Sequence, residues 1–435
     1  MAVYAYADFL ARRQHLHPSY RLSGPGGLVR LLQQMRGTPA PGVVWERDLL
    51  PLRVKDYEPG ELEGLCQRGE VVWVASGGKD PGRARVRFFF RGEGHLFLSP
   101  EPEVAGEEGG RSPAAQQVLE FLTEEGASFT ADLEEGTGLG GEELSAALVE
   151  LTMAGLVTND TLQALRQVLA RGSEDGTRPR RSLSSLEAEL NAWRQETRPA
   201  PTIRRRPPSR ARVQAAKRTA AQRVERASTA QWPGRWSLVH RIGVWGKELP
   251  FAERIERQAR QLLQCYGVVT RQSLEGDAEG GWDWAALYPQ FQLMEMRGEV
   301  RRGFFVRDLP GIQFALPEAV ERLREWTRTG AGHAGELVLV NACDPANVFG
   351  PARTGEGDVD AEGDPARFVR IPANSVVLLR GRPVLLLELG AERVTSLADT
   401  PTDTLRRALA LAVGHAGLSQ RRLMVKEWNG EPVLE

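Results

Sequence analysis

The sequence predicts an α+β fold in which tandem winged-helix domains are followed by a mostly antiparallel, barrel-like β module. The first observation is a junction repeated at residues 65–71, 151–157 and 294–300. Each copy has a large apolar residue, a glycine four positions later and a valine two positions beyond the glycine. Glycine ends a helix because it adopts the left-handed conformation without a steric cost. The second observation is a change after residue 336 to short apolar runs separated by turn residues, which is typical of a small β module.

The third junction lies within the clearest winged-helix pattern, over residues 251–323. A helix predicted over residues 284–297 has Leu287, Phe291 and Met294 at helical spacing, so that one side can be buried. An amphipathic helix and a short strand precede it, and two wing strands follow, at residues 251–265, 268–270, 300–305 and 312–316. A helix, a strand, a helix and a hairpin in this order form a winged helix, and three copies predict an array of such domains.

The flanking composition divides the chain into five segments. Residues 1–100 form a winged-helix-like unit with a long wing, 112–172 a second unit, 173–232 a basic linker, 233–330 a third unit, and 335–435 the β module with one helix over 402–413. The linker is rich in arginine and proline and has no acidic residue between Ile203 and Val224. Two interpretations stay open for it: a solvated spacer, or an electrostatic arm in which Arg204, Arg205 and Arg206 follow phosphates.

The composition excludes several function classes. The 435 residues carry a net charge of −1, so the whole chain is not basic, and the three cysteines and six histidines lack metal-ligand spacing. We therefore expect no metal and no cofactor. No apolar run approaches the ~20 residues of a membrane span, and the N-terminus lacks a basic signal region, so we expect a cytoplasmic protein without a membrane partner. No P-loop motif is present, so the chain is not itself a P-loop ATPase.

Two groups of residues are candidates for a site. The predicted wing of the third unit carries a set of arginines suited to phosphate contact: Arg297, Arg301, Arg302 and Arg307. A solvated charged face and a protein contact are the alternatives. Asp344 follows a buried strand in an Asp-Pro-Ala-Asn sequence. Such a sequence is usually a turn that hydrogen-bonds to itself, but a carboxylate at a strand end can also activate water, so Asp344 is the candidate catalytic residue.

Several stretches together resemble a known family. They are Arg13-Gln-His-Leu-His-Pro18, Gly24-Pro-Gly-Gly-Leu28, Trp45-Glu-Arg-Asp-Leu-Leu-Pro51, Gly69-Glu-Val-Val-Trp73, Ala154-Gly-Leu-Val-Thr-Asn-Asp160, Gly234-Arg-Trp236, Tyr266-Gly-Val-Val-Thr270, Arg302-Gly-Phe-Phe-Val306, Gln313-Phe-Ala315 and Asp344-Pro-Ala-Asn347. As a set, distributed over nearly the whole chain, they resemble the C-terminal region of Lhr-type large helicase-related proteins.

The resemblance implies a role beside superfamily 2 DNA or RNA helicases that act in DNA repair, whose ATPase core precedes this region. It also implies an array of winged helices with a β-barrel, an architecture similar to winged-helix DNA glycosylases, and an ability to oligomerise. Those glycosylases use a Gln-x-Gln motif on a hairpin. Gln290 and Gln292 fall on a predicted helix, so that role is not transferred.

Taken together, the residues and the resemblance predict a nucleic-acid-binding module of a repair helicase that binds DNA largely through phosphate contacts. The predicted partners are DNA or RNA, a helicase ATPase core in the same or a separate chain, and a second copy of this chain. Two alternatives from other classes stay open. One is a DNA glycosylase that acts on damaged bases, and the other is a protein–protein scaffold for a helicase motor.

Overall fold

The computed structural model describes residues 2–24, 26–78, 80–99, 110–172, 232–274, 282–307, 309–329, 335–350, 368–397, 400–418 and 423–433. Of the segment predicted as a basic linker, only its last residue, Trp232, lies within these ranges.

The first unit combines a helical half with a long antiparallel wing. Its helices are α1 (Val3–Arg13), α2 (Gly27–Met35), a helical segment made of Gly42–Val44, Trp45–Leu49 and Leu50–Arg53, α3 (Pro59–Gln67) and the short helix Gly94–Phe97. Its strands are β1 (Ala40–Pro41), β2 (Val71–Ser76) and β3 (Arg85–Phe90), in the sheet order β1-β3-β2. The junction glycine Gly69 has φ of +69°, so α3 ends there and the chain turns into β2.

The second unit has the same order of elements, but its sheet is completed from beyond the linker. Its elements are α4 (Pro113–Glu124), β4 (Ser128–Phe129), α5 (Thr130–Thr137), α6 (Gly141–Met153), β5 (Val157–Asn159), α7 (Leu162–Arg171) and β6 (Arg235–Leu238). Strand β6 lies between β4 and β5 and is antiparallel to both.

The position of β6 differs from the predicted domain boundary at residue 233, which assigned this strand to the third unit. Trp236 is fully buried against Trp232, with the two ring centroids 5.5 Å apart in an edge-to-face arrangement. The burial of both indole rings ties the strand to the second unit, because large aromatic side chains contribute most when they are removed from water.

The first and second units share one hydrophobic core. The indole of Trp73 in β2 donates a hydrogen bond to the carbonyl of Thr161 at 3.1 Å, and the hydroxyl of Thr158 in β5 donates to the carbonyl of Trp73 at 2.6 Å. The two wings therefore meet side by side, and the two units form one packed body.

The third unit follows the predicted pattern closely. Its elements are α8 (Phe251–Tyr266), β7 (Val268–Val269), the 3-10 turn Arg271–Leu274, α9 (Trp284–Met296), β8 (Arg301–Gly303), β9 (Gln313–Ala315) and α10 (Pro317–Thr329). The sheet order is β7-β9-β8. Gly298, with φ of +76°, ends α9 as the junction predicted. The wing strands are shorter than predicted, because the chain between them folds back onto the protein.

The last module is an open sheet, and the predicted barrel is wrong for the residues that the structure describes. Its strands are β10 (Leu337–Asn341), β11 (Ser375–Leu379), β12 (Arg382–Glu388), β13 (Arg393–Ser396), β14 (Glu427–Trp428) and β15 (Glu431–Pro432), paired in chain order. All neighbours are antiparallel except β13 and β14, which are parallel. Helix α11 (Thr402–Leu418) packs against this sheet.

Both faces of the sheet are covered, which explains why it need not close. Leu337 and Leu339 pack in the core that contains α11, whereas the alternate residues Val338 and Val340 pack in the core that contains α1 and α10. Successive side chains on a strand point to opposite faces. Two covered faces bury the apolar residues of the sheet without barrel closure.

Helix α1 connects the third unit to the last module. The hydroxyl of Tyr6 donates a hydrogen bond to the carbonyl of Val268 at 2.9 Å, and the turn at Gly381 between β11 and β12 lies against the backbone of α1. The N-terminal helix thus packs against parts of the chain that are distant in sequence.

Candidate nucleic-acid interface

The helices in the recognition position of the first two units present acidic side chains. Glu61 on α3 and the preceding Glu58 are exposed, as are Glu142 and Glu143 on α6. A carboxylate on this face repels a phosphate backbone. The recognition helices of these two units are therefore poorly suited to binding nucleic acid.

The corresponding helix of the third unit, α9, carries a single charged residue, Glu295, and is mostly devoted to packing. Leu287, Phe291 and Met294 are buried as predicted, and the solvent side carries Ala285 and Met296. The Phe291 ring stacks on Phe314 of β9, with the ring centroids 5.1 Å apart. A contact between this unit and nucleic acid would therefore depend on the wing.

Two of the wing arginines lie at the surface beside a carboxylate of a neighbouring helix. Arg301 is 3.0 Å from Glu321 on α10, and Arg302 is 3.0 Å from Glu295 on α9. A hydrogen bond from Arg301 lowers the pKa of Glu321 below its ordinary value, so this carboxylate is charged at neutral pH. Exposed pairs of this kind contribute little to stability, so a phosphate can replace the carboxylate at little cost.

Arg297 belongs to a second surface network, in which two arginines alternate with two carboxylates. Arg260 of α8 is 2.8 Å from Glu256 and 2.7 Å from Glu299, whereas Arg297 is 3.9 Å from each of the same carboxylates. The hydrogen bond from Arg260 lowers the pKa of Glu256. Arg297 is therefore the more loosely held of the two arginines.

Arg307 lies farther along the wing and is exposed. Within the described residues it forms no ion pair. Its guanidinium can therefore bind an anion without first losing a described carboxylate partner.

A buried glutamine fixes the loop between the two wing strands. The side-chain oxygen of Gln313 accepts hydrogen bonds from the amides of Phe305 and Val306, both at 2.8 Å. Its amide nitrogen donates to the carbonyls of Val306 at 2.8 Å and Leu309 at 3.1 Å. The side chains of Phe305, Val306 and Leu309 join the core around α1, so the loop is held against the protein.

Asp344, the predicted catalytic residue, lies in a fully buried ion pair. Its two carboxylate oxygens accept hydrogen bonds from the two terminal nitrogens of Arg53 at 2.6 and 2.7 Å, and both side chains are 0% exposed. Arg53 also donates to the side-chain oxygen of Gln14, the residue directly after α1, at 3.2 Å. This geometry supports a structural role that joins the first unit to the last module. The catalytic role stays a prediction.

A second polar cluster crosses the same junction. Asp48 is buried, and its oxygens contact His415 of α11 at 2.9 Å, Asn341 at 2.8 Å and Arg47 at 2.7 Å. Burial alone would raise the pKa of Asp48, but the hydrogen bond with His415 and the charge of Arg47 outweigh it and hold the pKa below its ordinary value. Asp48 is therefore a charged group at the junction of the first unit with the last module.

The sequence did not predict these buried polar residues as partners. Asp48 and Arg53 flank the apolar run Leu49-Leu-Pro-Leu52, and a charged residue next to such a run is the available signal for a buried ion pair. Their partners could not be found from spacing, because Asp344 lies 291 positions from Arg53.

The remaining points concern the arginines of the basic segment, metal sites and membrane-spanning helices. Arg204, Arg205 and Arg206 lie outside the described residues. Within the described part of the chain, no group of three or more His, Cys, Asp or Glu side chains is placed to hold a metal ion. No described helix is long and apolar enough to cross a membrane.

Two parts of the chain match domain models of a single family. Residues 2–91 match the third, and residues 250–334 the fourth, winged-helix domain of the large helicase-related protein. The chain is homologous to the C-terminal region of the large helicase-related (Lhr) proteins. The winged-helix prediction is therefore confirmed for these two segments.

Curated Lhr proteins match over most of this chain. It is 33% identical over 443 residues to the "Lhr helicase/ probable uracil glycosylase" of Mycolicibacterium smegmatis, covering 99% of this chain and 26% of that protein. It is 28% identical over 372 residues to the "Lhr helicase/uracil glycosylase" of Escherichia coli, covering 80% of this chain and 22% of that protein. The chain thus spans about a quarter of the length of these Lhr relatives.

Among solved structures, the DNA glycosylase AlkZ of Streptomyces sahachiroi aligns with 98% of this chain and 99% of its own, at 16% identity and a TM-score of 0.43. A TM-score and an identity this low assign neither a shared domain arrangement nor a shared activity.

Proposed function

We propose that this chain is a nucleic-acid-binding module of the Lhr type, which holds the phosphate backbone through the wing of the third unit. The observation that carries the proposal is the exposed wing of that unit, which carries Arg301, Arg302 and Arg307, whereas the helices α3, α6 and α9 carry carboxylates and neither lysine nor arginine. The homology to Lhr winged-helix domains supports the same role.

The mechanism follows from the ion pairs of the wing. Glu321 and Glu295 hold Arg301 and Arg302 in place while no anion is bound. A phosphate carries a full charge and several acceptor oxygens, so it can displace a carboxylate that contributes little. Arg297 and Arg307 extend the contact along the backbone. Arg204, Arg205 and Arg206 are proposed to add non-specific contacts from the basic segment.

Salt titration tests the proposal. Each phosphate contact releases counterions, so the logarithm of the binding constant should fall linearly with the logarithm of salt concentration, with a slope of about −0.9 for each contact. Replacing Arg301 and Arg302 by Gln should make this slope less steep by about 2. Arg68→Gln is the matched control, because Arg68 is an exposed arginine paired with Glu70 on the first unit.

Three outcomes would decide between functions. A binding constant that varies little with sequence supports the proposal, whereas a fixed consensus from randomised oligonucleotides would contradict it. An Arg68→Gln protein that loses as much affinity as the wing variant would remove the wing from the interface. Failure of the wild-type chain to bind any nucleic acid at low salt would favour a protein scaffold.

The basic segment is tested separately by deletion. A chain that lacks residues 178–226 should keep its melting temperature and lose non-specific affinity, because the arginines in this segment would no longer contact phosphates. A large fall in melting temperature would show that the segment contributes to the fold.

A second candidate function is excision of a damaged base. The two curated relatives carry uracil glycosylase in their names, and these names favour uracil as the first base to test. The purified chain, without ATP, is incubated with duplexes that contain uracil or alkylated bases, and alkali-labile sites are measured. Their absence on every substrate would exclude excision by this chain under these conditions.

The homology to Lhr proteins also bears on the partners of this chain. The Lhr homology supports association with a helicase core, which we propose lies either in the same chain or in a separate one. A second copy of this chain is also proposed as a partner, to be tested by light scattering. The cytoplasmic location stays a prediction.

A further inference from the structure

The wing of the third unit exposes one aromatic ring. Phe304 follows β8 directly, and 77% of the residue is exposed to solvent. Phe291 and Phe314 of the same unit are fully buried, and Phe305 and Tyr288 are partly buried. A single exposed apolar residue is common on protein surfaces, so its position and surroundings decide whether the ring has a role.

The backbone that carries Phe304 is fixed by the buried Gln313. The amides of the next two residues, Phe305 and Val306, donate to the side-chain oxygen of Gln313 at 2.8 Å, and their side chains lie in the core around α1. These contacts hold the backbone of the two residues that follow Phe304. The ring is therefore presented to solvent by a rigid support, which reduces the entropy lost when a ligand binds.

Cationic side chains flank the ring on both sides along the chain. Arg301 and Arg302 precede it, Arg307 follows it, and no acidic residue occurs between Val300 and Arg307. An aromatic ring flanked along the chain by arginines matches a nucleotide, because a base has an apolar face and its phosphate carries negative charge.

We propose that Phe304 stacks on an unpaired nucleobase while Arg301 and Arg302 hold the adjacent phosphates. This inference rests on the proposed nucleic-acid-binding function and specifies its preferred ligand. A base inside an intact duplex is both paired and stacked on its neighbours, whereas a base without a pairing partner leaves the stack at lower cost and can then offer a face to the ring. The wing should therefore prefer nucleic acid with an unpaired base, and it should do so with little sequence preference, because every base has a π face.

Two duplexes that differ only in pairing provide the test. Both contain 2-aminopurine at the same position, opposite thymine in one and opposite an abasic site in the other, where the base has no pairing partner. Binding is followed by anisotropy of a distant label, and stacking is followed by quenching of 2-aminopurine fluorescence. The proteins are the full chain, Phe304→Ala, Phe304→Trp and Phe251→Ala. Phe251 is the matched control, because it is 62% exposed on α8 of the same unit.

Phe304→Ala should weaken binding to the duplex with the unpaired base by roughly 5- to 150-fold, the range for loss of one base–aromatic stack. It should leave binding to the paired duplex unchanged and abolish the additional quenching. Phe304→Trp should retain both the preference and the quenching, and Phe251→Ala should behave as the wild type. The Phe304 ring is in solvent, so the melting temperature of each Phe304 variant should equal that of the wild type.

The possible failures are distinguishable. Equal binding of the wild type and Phe304→Ala to the duplex with the unpaired base would overturn the stacking proposal and leave the proposed function intact. Equal losses on both duplexes, or the same loss in Phe251→Ala, would also overturn it. Failure of the wild type to bind either duplex at low salt would instead overturn the proposed function.

Discussion

The buried pair between Arg53 and Asp344 gives the sharpest stability prediction. Both side chains are fully buried and joined by two hydrogen bonds of 2.6 and 2.7 Å. Removing one partner leaves a charge without compensation, which typically costs about 3–5 kcal/mol. Asp344→Asn keeps the shape of the side chain and removes its charge. We therefore expect it to lower the free energy of unfolding by an amount in this range.

A double-mutant cycle separates the pair from its surroundings. Arg53→Met and Asp344→Leu should each destabilise the chain strongly, whereas the double variant Arg53→Met/Asp344→Leu should recover much of the loss, because a buried ion pair can be replaced by apolar groups at small net cost. The free energy of unfolding is measured by urea denaturation. Arg301→Gln is the control, because its pair with Glu321 is exposed and should contribute little to stability.

Two results would refute this reasoning. One is an Asp344→Asn protein with unchanged stability, and the other is a double variant whose loss equals the sum of the single losses. The measurement also affects the glycosylase test. Loss of excision in Asp344→Asn would support the predicted catalytic role of Asp344 only if the variant remains folded under the conditions of the activity assay.

Three further predictions concern other contacts. Gln313→Ala should cost about 1–3 kcal/mol for each amide left without a partner. Hydrogen exchange at the amides of Phe305 and Val306 should become faster, and unchanged exchange would contradict a wing loop held by Gln313. The stabilisation by Asp48, whose folded pKa is lowered, should be fully present above the ordinary value of 3.8 and be lost as pH falls through the folded value. The stability difference between wild type and Asp48→Asn, measured by urea denaturation, should therefore shrink with falling pH. A difference that stays constant would contradict a lowered pKa of Asp48 in the folded protein. Gly381→Ala would place a Cβ 1.9 Å from a backbone oxygen of α1. It should cost about 1–3 kcal/mol more than Gly298→Ala, because Gly298 has the same φ and open space around it. Equal melting temperatures for the two variants would contradict the close packing of α1 against this turn.

The sequence by itself determined the local elements of the winged helices. Helix α9, its end at Gly298 and the strand that follows were all predicted, because helical spacing and the conformational freedom of glycine act over a few residues. The sequence also identified the arginines that the wing carries, and their contact with nucleic acid stays a prediction. The family was recognised from many short stretches distributed over the chain.

The tertiary structure decided what depends on residues far apart in sequence. Strand β6 completes the sheet of the second unit across the linker, and the last sheet stays open because α1 and α11 cover its faces. The carboxylates beside the wing arginines come from α9 and α10, and the partner of Asp344 comes from the first unit. Local steric preferences set helices, turns and strands, but they do not fix which distant side chains meet. Burial of apolar faces brings those segments together, and the buried charges must then be paired where they lie.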